Sequence, residues 1–134
     1  MSFEEAELLR RRAHSFPRLA ERPVEEGEYD LAMFSLEQYC QLILEYRILV
    51  VEGSYPRTRS LRRLIRELGE HDPRMLELVS DIGKLYYIAR LEEACIVSRY
   101  LPITYEEGEV REILRFVEEA FKPLVEGSQP PRGA

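Results

Sequence analysis

Cysteine, histidine and lysine are all scarce in this chain, and each scarcity closes off a class of function. The two cysteines, Cys40 and Cys95, lie far apart, each inside a helical apolar pattern. They form neither a CxxC redox pair nor half of a zinc site, and they read as small buried hydrophobes. With only two histidines, His14 and His71, and no second His or Cys near either, no metal or other cofactor is expected. No run approaches the roughly eighteen uninterrupted apolar residues that a membrane span requires. The opening stretch MSFEEAELLRRRAHSF also lacks an apolar h-region with a cleavage site. The expected setting is therefore cytoplasmic, with no membrane partner. Strand signals are missing too, as are the P-loop, GxGxxG, HExxH and GxSxG motifs.

What remains is a 134-residue chain, 45% hydrophobic and 33% charged, enough for one domain with a real core. The expected organisation is a single helical domain over 1–126 and a flexible tail over 127–134. The net charge of −6 argues against general adhesion to nucleic acid, although local patches can still be basic. All but Lys84 and Lys122 of the 19 basic residues are arginine. Guanidinium planes suit bidentate pairing with phosphate or carboxylate, but surface pairing with the abundant glutamates explains such arginines equally well.

The apolar spacing is helical throughout. Ser2 and Glu5 have capping-box spacing ahead of the stripe Ala6, Leu9, Ala13, Phe16 and Ala20. Pro17 is expected to bend this helix or end it early, and Arg22 to Gly27 read as a frayed end and turn. A second helix starts near Tyr29 and carries two adjoining stripes. One is Ala32, Leu36, Tyr39, Ile43, Tyr46 and Val50; the other is Leu31, Leu42 and Leu49. Two stripes imply two packing partners, and exposing either would be costly at roughly 25 cal/mol per Å², so a homodimer is expected. Leu61, Leu64, Ile65 and Leu68 mark a short third helix ended by Gly69. Asp72 and Pro73 start a fourth, running to about Arg99 with room for a bend on the way. Leu101 and Pro102 stop it. Thr104 and Glu107 then open a last helix with Val110, Ile113, Leu114, Val117, Phe121 and Leu124 buried, fraying near Pro123. The predicted fold is all-α, an antiparallel four- to five-helix bundle of up-and-down type.

Reactive groups are few. Arg66 and His71 have the spacing of an Arg-x(4–6)-His ribonuclease motif, in which the arginine holds phosphate and the histidine polarises the attacking or leaving oxygen. With so many arginines, a chance match of this kind has about even odds. A second feature is a set of arginines and tyrosines, Arg57, Arg59, Arg62, Arg63 and Arg99 with Tyr29, Tyr55 and Tyr100. Such a set can hold phosphates and stack bases, or can simply be solvated and ion-paired.

The run GEYDLAMFSLEQYCQLILEYRILVVEG, followed by SYPRTRSLRRLIRELG and later by SRYLP, resembles the HEPN family of prokaryotic helical domains. The matching positions are Tyr29, Asp30, Leu31 and Ala32, then Glu37 and Gln38, then Pro56 and Thr58, then Arg99 and Tyr100, and the resemblance spans about Leu8 to Leu124. Arg59 stands where the family often has histidine, Glu45 where lysine is common, and Leu101 is inserted before Pro102. The resemblance implies a dimerising bundle associated with nucleotide or RNA binding, often beside a small nucleotidyltransferase in pairs that look like toxin and antitoxin. Glu37, Gln38, Arg59, Arg99 and Tyr100 would then line a polar ligand-binding cleft. Glu37 and Gln38 would fix an arginine or a base edge, and Arg59 and Arg99 would hold phosphate. The family's ribonuclease chemistry is not carried over, because the helix after the short third one has no histidine beyond His71. A metal-independent endoribonuclease using Arg66 and His71, or a purely structural interaction subunit, is the alternative.

Overall fold

The computed structural model describes the backbone of residues 3–100 and 105–127, and the side chains of 4–16, 21–94 and 105–127. Ser2, Leu101, Pro102, Thr104 and the tail beyond Gly127 lie outside the described residues, as do the side chains of Pro17, Ala20 and Cys95. Among the described residues there is no strand.

The fold is an all-α bundle. Four long helical segments are α1 (Phe3–Glu25), α2 (Tyr29–Glu52), α5 (Ile82–Tyr100) and the run α6 (Glu107–Phe116) through a π turn (Val117–Phe121) into α7 (Lys122–Val125). The short α3 (Leu61–Gly69), a 3₁₀ turn (Pro73–Leu76) and α4 (Glu77–Ser80) bridge α2 to α5.

The first helix departs from expectation. It continues past Pro17 to Glu25 and buries Val24. A proline inside a helix removes one backbone hydrogen bond, and here the apolar stripe outweighs that loss. The end is not frayed. Glu28 N–H donates to the Pro23 carbonyl at 2.7 Å and Gly27 N–H to that of Val24 at 3.2 Å. Gly27 sits at φ +79°, so the helix closes with a Schellman motif that needs a residue tolerant of positive φ.

Helix α2 is the axis of the domain. Ala32, Leu36, Tyr39 and Ile43 are buried as the first stripe predicts. A further face, Met33, Glu37, Cys40, Leu44 and Ile48, is buried as well. Leu49 packs with Ala6 and Leu9 of α1, and Leu42, Tyr46 and Tyr55 lie against them. The second packing partner that the stripes require is therefore α1 of the same chain, and the stripes alone do not call for a second subunit. Against expectation, Leu31 of the second stripe and Val50 of the first remain about half exposed.

The fourth helix is also not continuous. The backbone turns extended at Asp81, with ψ 121°, and the Asp81 carboxylate accepts from Lys84 N–H at 3.0 Å. Asp81 thus caps α5, an N-terminal signal that the apolar periodicity through Val79 and Ile82 obscures. Asp72 acts as predicted, accepting from Arg74 N–H at 3.3 Å at the start of the 3₁₀ turn. At the other end, Val110, Ile113, Val117 and Phe121 are buried and the helix ends at Val125, two residues beyond Pro123.

Charged residues lock the helices together. The Arg90 guanidinium donates to both oxygens of Glu109, at 2.6 and 3.1 Å, and lies 5.2 Å from the centre of the Tyr105 ring, joining α5 to α6. Arg47 on α2 donates to the Val125 carbonyl at 2.8 Å, satisfying an end of α7 that lacks a helical partner. Much of the arginine surplus is thus structural pairing with acidic residues.

Candidate functional site

The most polar part of the interior is on α2. Glu37, Gln41 and Glu45 follow one another at four-residue steps, which puts them on one face of the helix. Glu37 is fully buried and Glu45 is 7% exposed. Opposite stand Tyr55, Arg57, Thr58 and Arg59, in the irregular stretch between Gly53 and α3. Gly53 makes this turn possible: at φ +87° it accepts a left-handed conformation, and its N–H closes α2 on the Leu49 carbonyl at 2.9 Å. The stretch then ends on Ser60, whose hydroxyl caps α3 by accepting from Arg63 N–H at 3.2 Å. Between the two walls is a cleft of about 440 Å³, lined by Gln41, Glu45, Tyr55, Arg57, Thr58 and Arg59. That volume is within the range of small-molecule sites.

The acidic wall is electrostatically strained. Burial raises the Glu37 carboxyl to about 7, against lowering by a hydrogen bond from Gln38 and by the charge of Arg59, with Glu45 and Glu92 pushing it up further. Burial likewise raises Glu45, with the Gln41 hydrogen bond and Arg59 opposing. The Gln38 amide donates to Glu37 Oε1 at 2.8 Å, and the Gln41 amide to Glu45 Oε2 at 3.1 Å. Glu37 Oε2 and Gln41 Oε1 are buried and have no hydrogen-bond partner among the described residues. An unpaired buried acceptor costs about 1 to 3 kcal/mol unless a water or another polar group pairs it.

The residues expected to form the cleft divide as follows. Arg59 lines the cleft, whereas Glu37 and Gln38 are on α2 outside its lining, with Gln38 donating to Glu37 and the Arg59 charge acting on both Glu37 and Glu45. Arg99 and Tyr100 are near the end of α5, and their side chains lie outside the described residues. Of the other candidates, Arg57 lines the cleft. Arg62 is committed to Glu92 on α5, donating at 3.2 and 3.1 Å. Sequence reasoning misses Gln41, and it meets Glu45 only as a departure from the family pattern. The available signal is the four-residue spacing from Glu37 on a helix otherwise apolar.

The Arg66 and His71 pair is arranged differently. Arg66 is exposed on α3, and the His71 imidazole hydrogen-bonds Glu52 Oε2 at 2.8 Å. His14 pairs with Glu126 at 2.6 Å, and the same carboxylate group accepts from the Tyr39 hydroxyl. A larger cavity of about 950 Å³ opens beside α1 and the start of α2, among Phe16, Pro23, Leu31 and Phe34 with Arg11 and Arg22 at its edges. It shares none of the residues of the polar cleft. No group of acidic, histidine or cysteine side chains among the described residues is suited to hold a metal, and no helix among them is long and apolar enough to cross a membrane.

Comparison with known proteins agrees with the helical architecture. The family model for the HEPN domain matches residues 6–128. No curated protein and no solved structure matches the chain. The match takes in α2, the irregular stretch after it and every other helix described above apart from the first three residues of α1, nearly the whole sequence. On that coverage the chain belongs to the HEPN domain family.

Proposed function

We propose that the protein is a non-catalytic homodimeric module that binds a nucleotide or RNA in the cleft between α2 and the 55–59 stretch, and that it pairs with a small nucleotidyltransferase in a toxin and antitoxin arrangement. The observation that carries the binding role is the cleft itself. One wall presents Arg57 and Arg59 beside the Tyr55 ring, and the other presents buried polar acceptors with pairing capacity to spare. Guanidinium groups pair with phosphate oxygens, and a tyrosine ring stacks on a base. Arg99 and Tyr100 complete the set by resemblance to the family.

The partner role draws on family membership and on exposed apolar side chains. Ile82 is 85% and Tyr86 53% exposed, one turn apart on α5, and Leu31, Val50 and Val51 are about half exposed along α2. Side chains of this kind in contiguous patches mark interaction surfaces. A nuclease role has less support, because His71 is engaged with Glu52 rather than set in a cleft.

Titration of the protein with nucleotides and a short single-stranded RNA, followed by calorimetry at two salt concentrations, tests the binding role. Binding that weakens with salt and is reduced at least tenfold by Arg59→Ala or Arg99→Ala is expected. Binding unchanged by both substitutions removes the cleft as the site. Light scattering tests the dimer, and RNA cleavage in EDTA that is lost in His71→Ala would replace this reading with the nuclease one.

A further inference from the structure

The exposed apolar ridge on α5 lies beside a hollow. Ile82 and Tyr86, 85% and 53% exposed, stand four residues apart and so share one face of the helix. Gly83 and Tyr87, each one residue further on, line a hollow of about 550 Å³ between the start of α5 and the end of α6. Phe116 and Ala120 form its other wall, and the Tyr87 and Phe116 ring centres are 5.0 Å apart. Ala120 belongs to the π turn, a distortion found often at functional positions.

The fold itself does not call for glycine at 83. Its φ is outside the left-handed region, and a β-carbon there would meet nothing closer than the Asp81 carboxylate at 3.4 Å. Glycine within a helix costs up to about 1 kcal/mol relative to alanine. What glycine provides here is a low wall, open to a side chain from outside.

The rim carries both signs of charge. Lys84 donates to Glu77, and Glu112 accepts from the Tyr87 hydroxyl at 3.0 Å. Arg115 and Glu119 also line the hollow, both exposed, and neither makes a hydrogen bond or ion pair among the described residues. A face with a knob, a hollow, an unpaired cation and an unpaired anion is complementary to itself, because a two-fold axis sets each feature of one copy against its counterpart on the other. A partner of one charge sign would leave Arg115 or Glu119 unmatched.

We infer that this face is the homodimer interface. Ile82 of each copy enters the hollow of Tyr87, Phe116 and Ala120 on the other, and Arg115 pairs with Glu119 across the axis. The inference rests on the dimer reading above and names the surface that carries it. The hollow shares no residue with the polar cleft, so dimerisation and ligand binding are separable by mutation.

Sedimentation equilibrium of the full chain tests the interface. Ile82→Glu is expected to weaken the dimer about tenfold or more, and Leu8→Glu, at an exposed apolar position on α1, to leave it unchanged. Glutamate suits the first turn of a helix, and circular dichroism confirms that the variant is folded. Arg115→Glu and Glu119→Arg should each weaken the dimer, and the two together should restore it. A dimer that survives Ile82→Glu, or that the double reversal fails to restore, would overturn this face and leave the homodimer to another surface. A chain that stays monomeric would overturn the homodimer and this inference together, while the nucleotide titration judges the cleft separately.

Discussion

Glu37 and Gln38, neighbours in sequence, are joined by a hydrogen bond of 2.8 Å between their own side chains. Adjacent residues on a helix diverge by about 100°, so the pair meets only because both side chains fold toward the same buried edge of α2. The bond holds one oxygen of a fully buried carboxyl group and leaves the other unpaired.

Stability should therefore depend on pH through Glu37. Burial raises its carboxyl from the ordinary 4.5 to about 7, so the folded state binds a proton more tightly than the unfolded chain does. Its stabilising contribution is fully present below about pH 4.5 and is lost as pH rises to about 7, levelling off above. The loss amounts to about 3 kcal/mol. Urea unfolding of Glu37→Gln between pH 4 and 8 should show this part of the slope removed and a more stable protein at pH 8. Parallel curves for the two proteins would show that Glu37 ionises freely.

Glu92 gives a second expected outcome. It accepts from the Arg62 side chain at 3.2 and 3.1 Å and from Arg62 N–H at 3.3 Å, at the open end of α3. Losing the carboxylate removes both an ion pair and a helix-end partner, whereas losing the guanidinium removes only the partly exposed pair. Glu92→Ala is expected to destabilise by about 1 to 2 kcal/mol and Arg62→Ala by about half as much. Chemical denaturation of the two variants gives the order, and the reverse order would deny Glu92 its capping role.

Gly53 gives a third. It sits at φ +87°, and a methyl group there would project into open space, so the cost of Gly53→Ala is conformational rather than steric crowding. A loss of about 1 kcal/mol is expected, a few degrees in melting temperature. An unchanged melting temperature would mean that the turn relaxes to negative φ. The same turn sets the cleft wall, so nucleotide affinity should fall alongside stability.

Tyr39 gives the fourth. Its ring is buried edge-on to Phe121 at 6.0 Å, and its hydroxyl donates to Glu126 at the end of the domain. Tyr39→Phe keeps the packing and leaves Glu126 with His14 alone, at a cost of about 1 to 2 kcal/mol. His14→Ala, on the half-exposed side of the same carboxylate, should cost less. Equal costs, measured by thermal melts at pH 7, would place the stability in the His14 pair instead.

The helices are legible because helix formation follows local apolar spacing. Leu61, Leu64, Ile65 and Leu68 are all buried as their periodicity requires, and Glu37 and Gln38 stand out through a family pattern that survives in the linear sequence, with Arg59 a departure from it. Other features depend on sums that the sequence does not display. Whether α1 survives Pro17 turns on what Val24 and the Gly27 closure contribute beyond it.

From sequence alone, then, come the all-helical class and the central helix, because spacing and motif are properties of the chain itself. Only the tertiary structure decided that α1 covers Leu42 and Leu49 of the second stripe of α2, that Gln41 and Glu45 line a cleft with Arg57 and Arg59, and that Arg62 is taken by Glu92. Those outcomes depend on which side chains meet across helices distant in sequence, and on the burial that raises a carboxyl group only when other elements close over it.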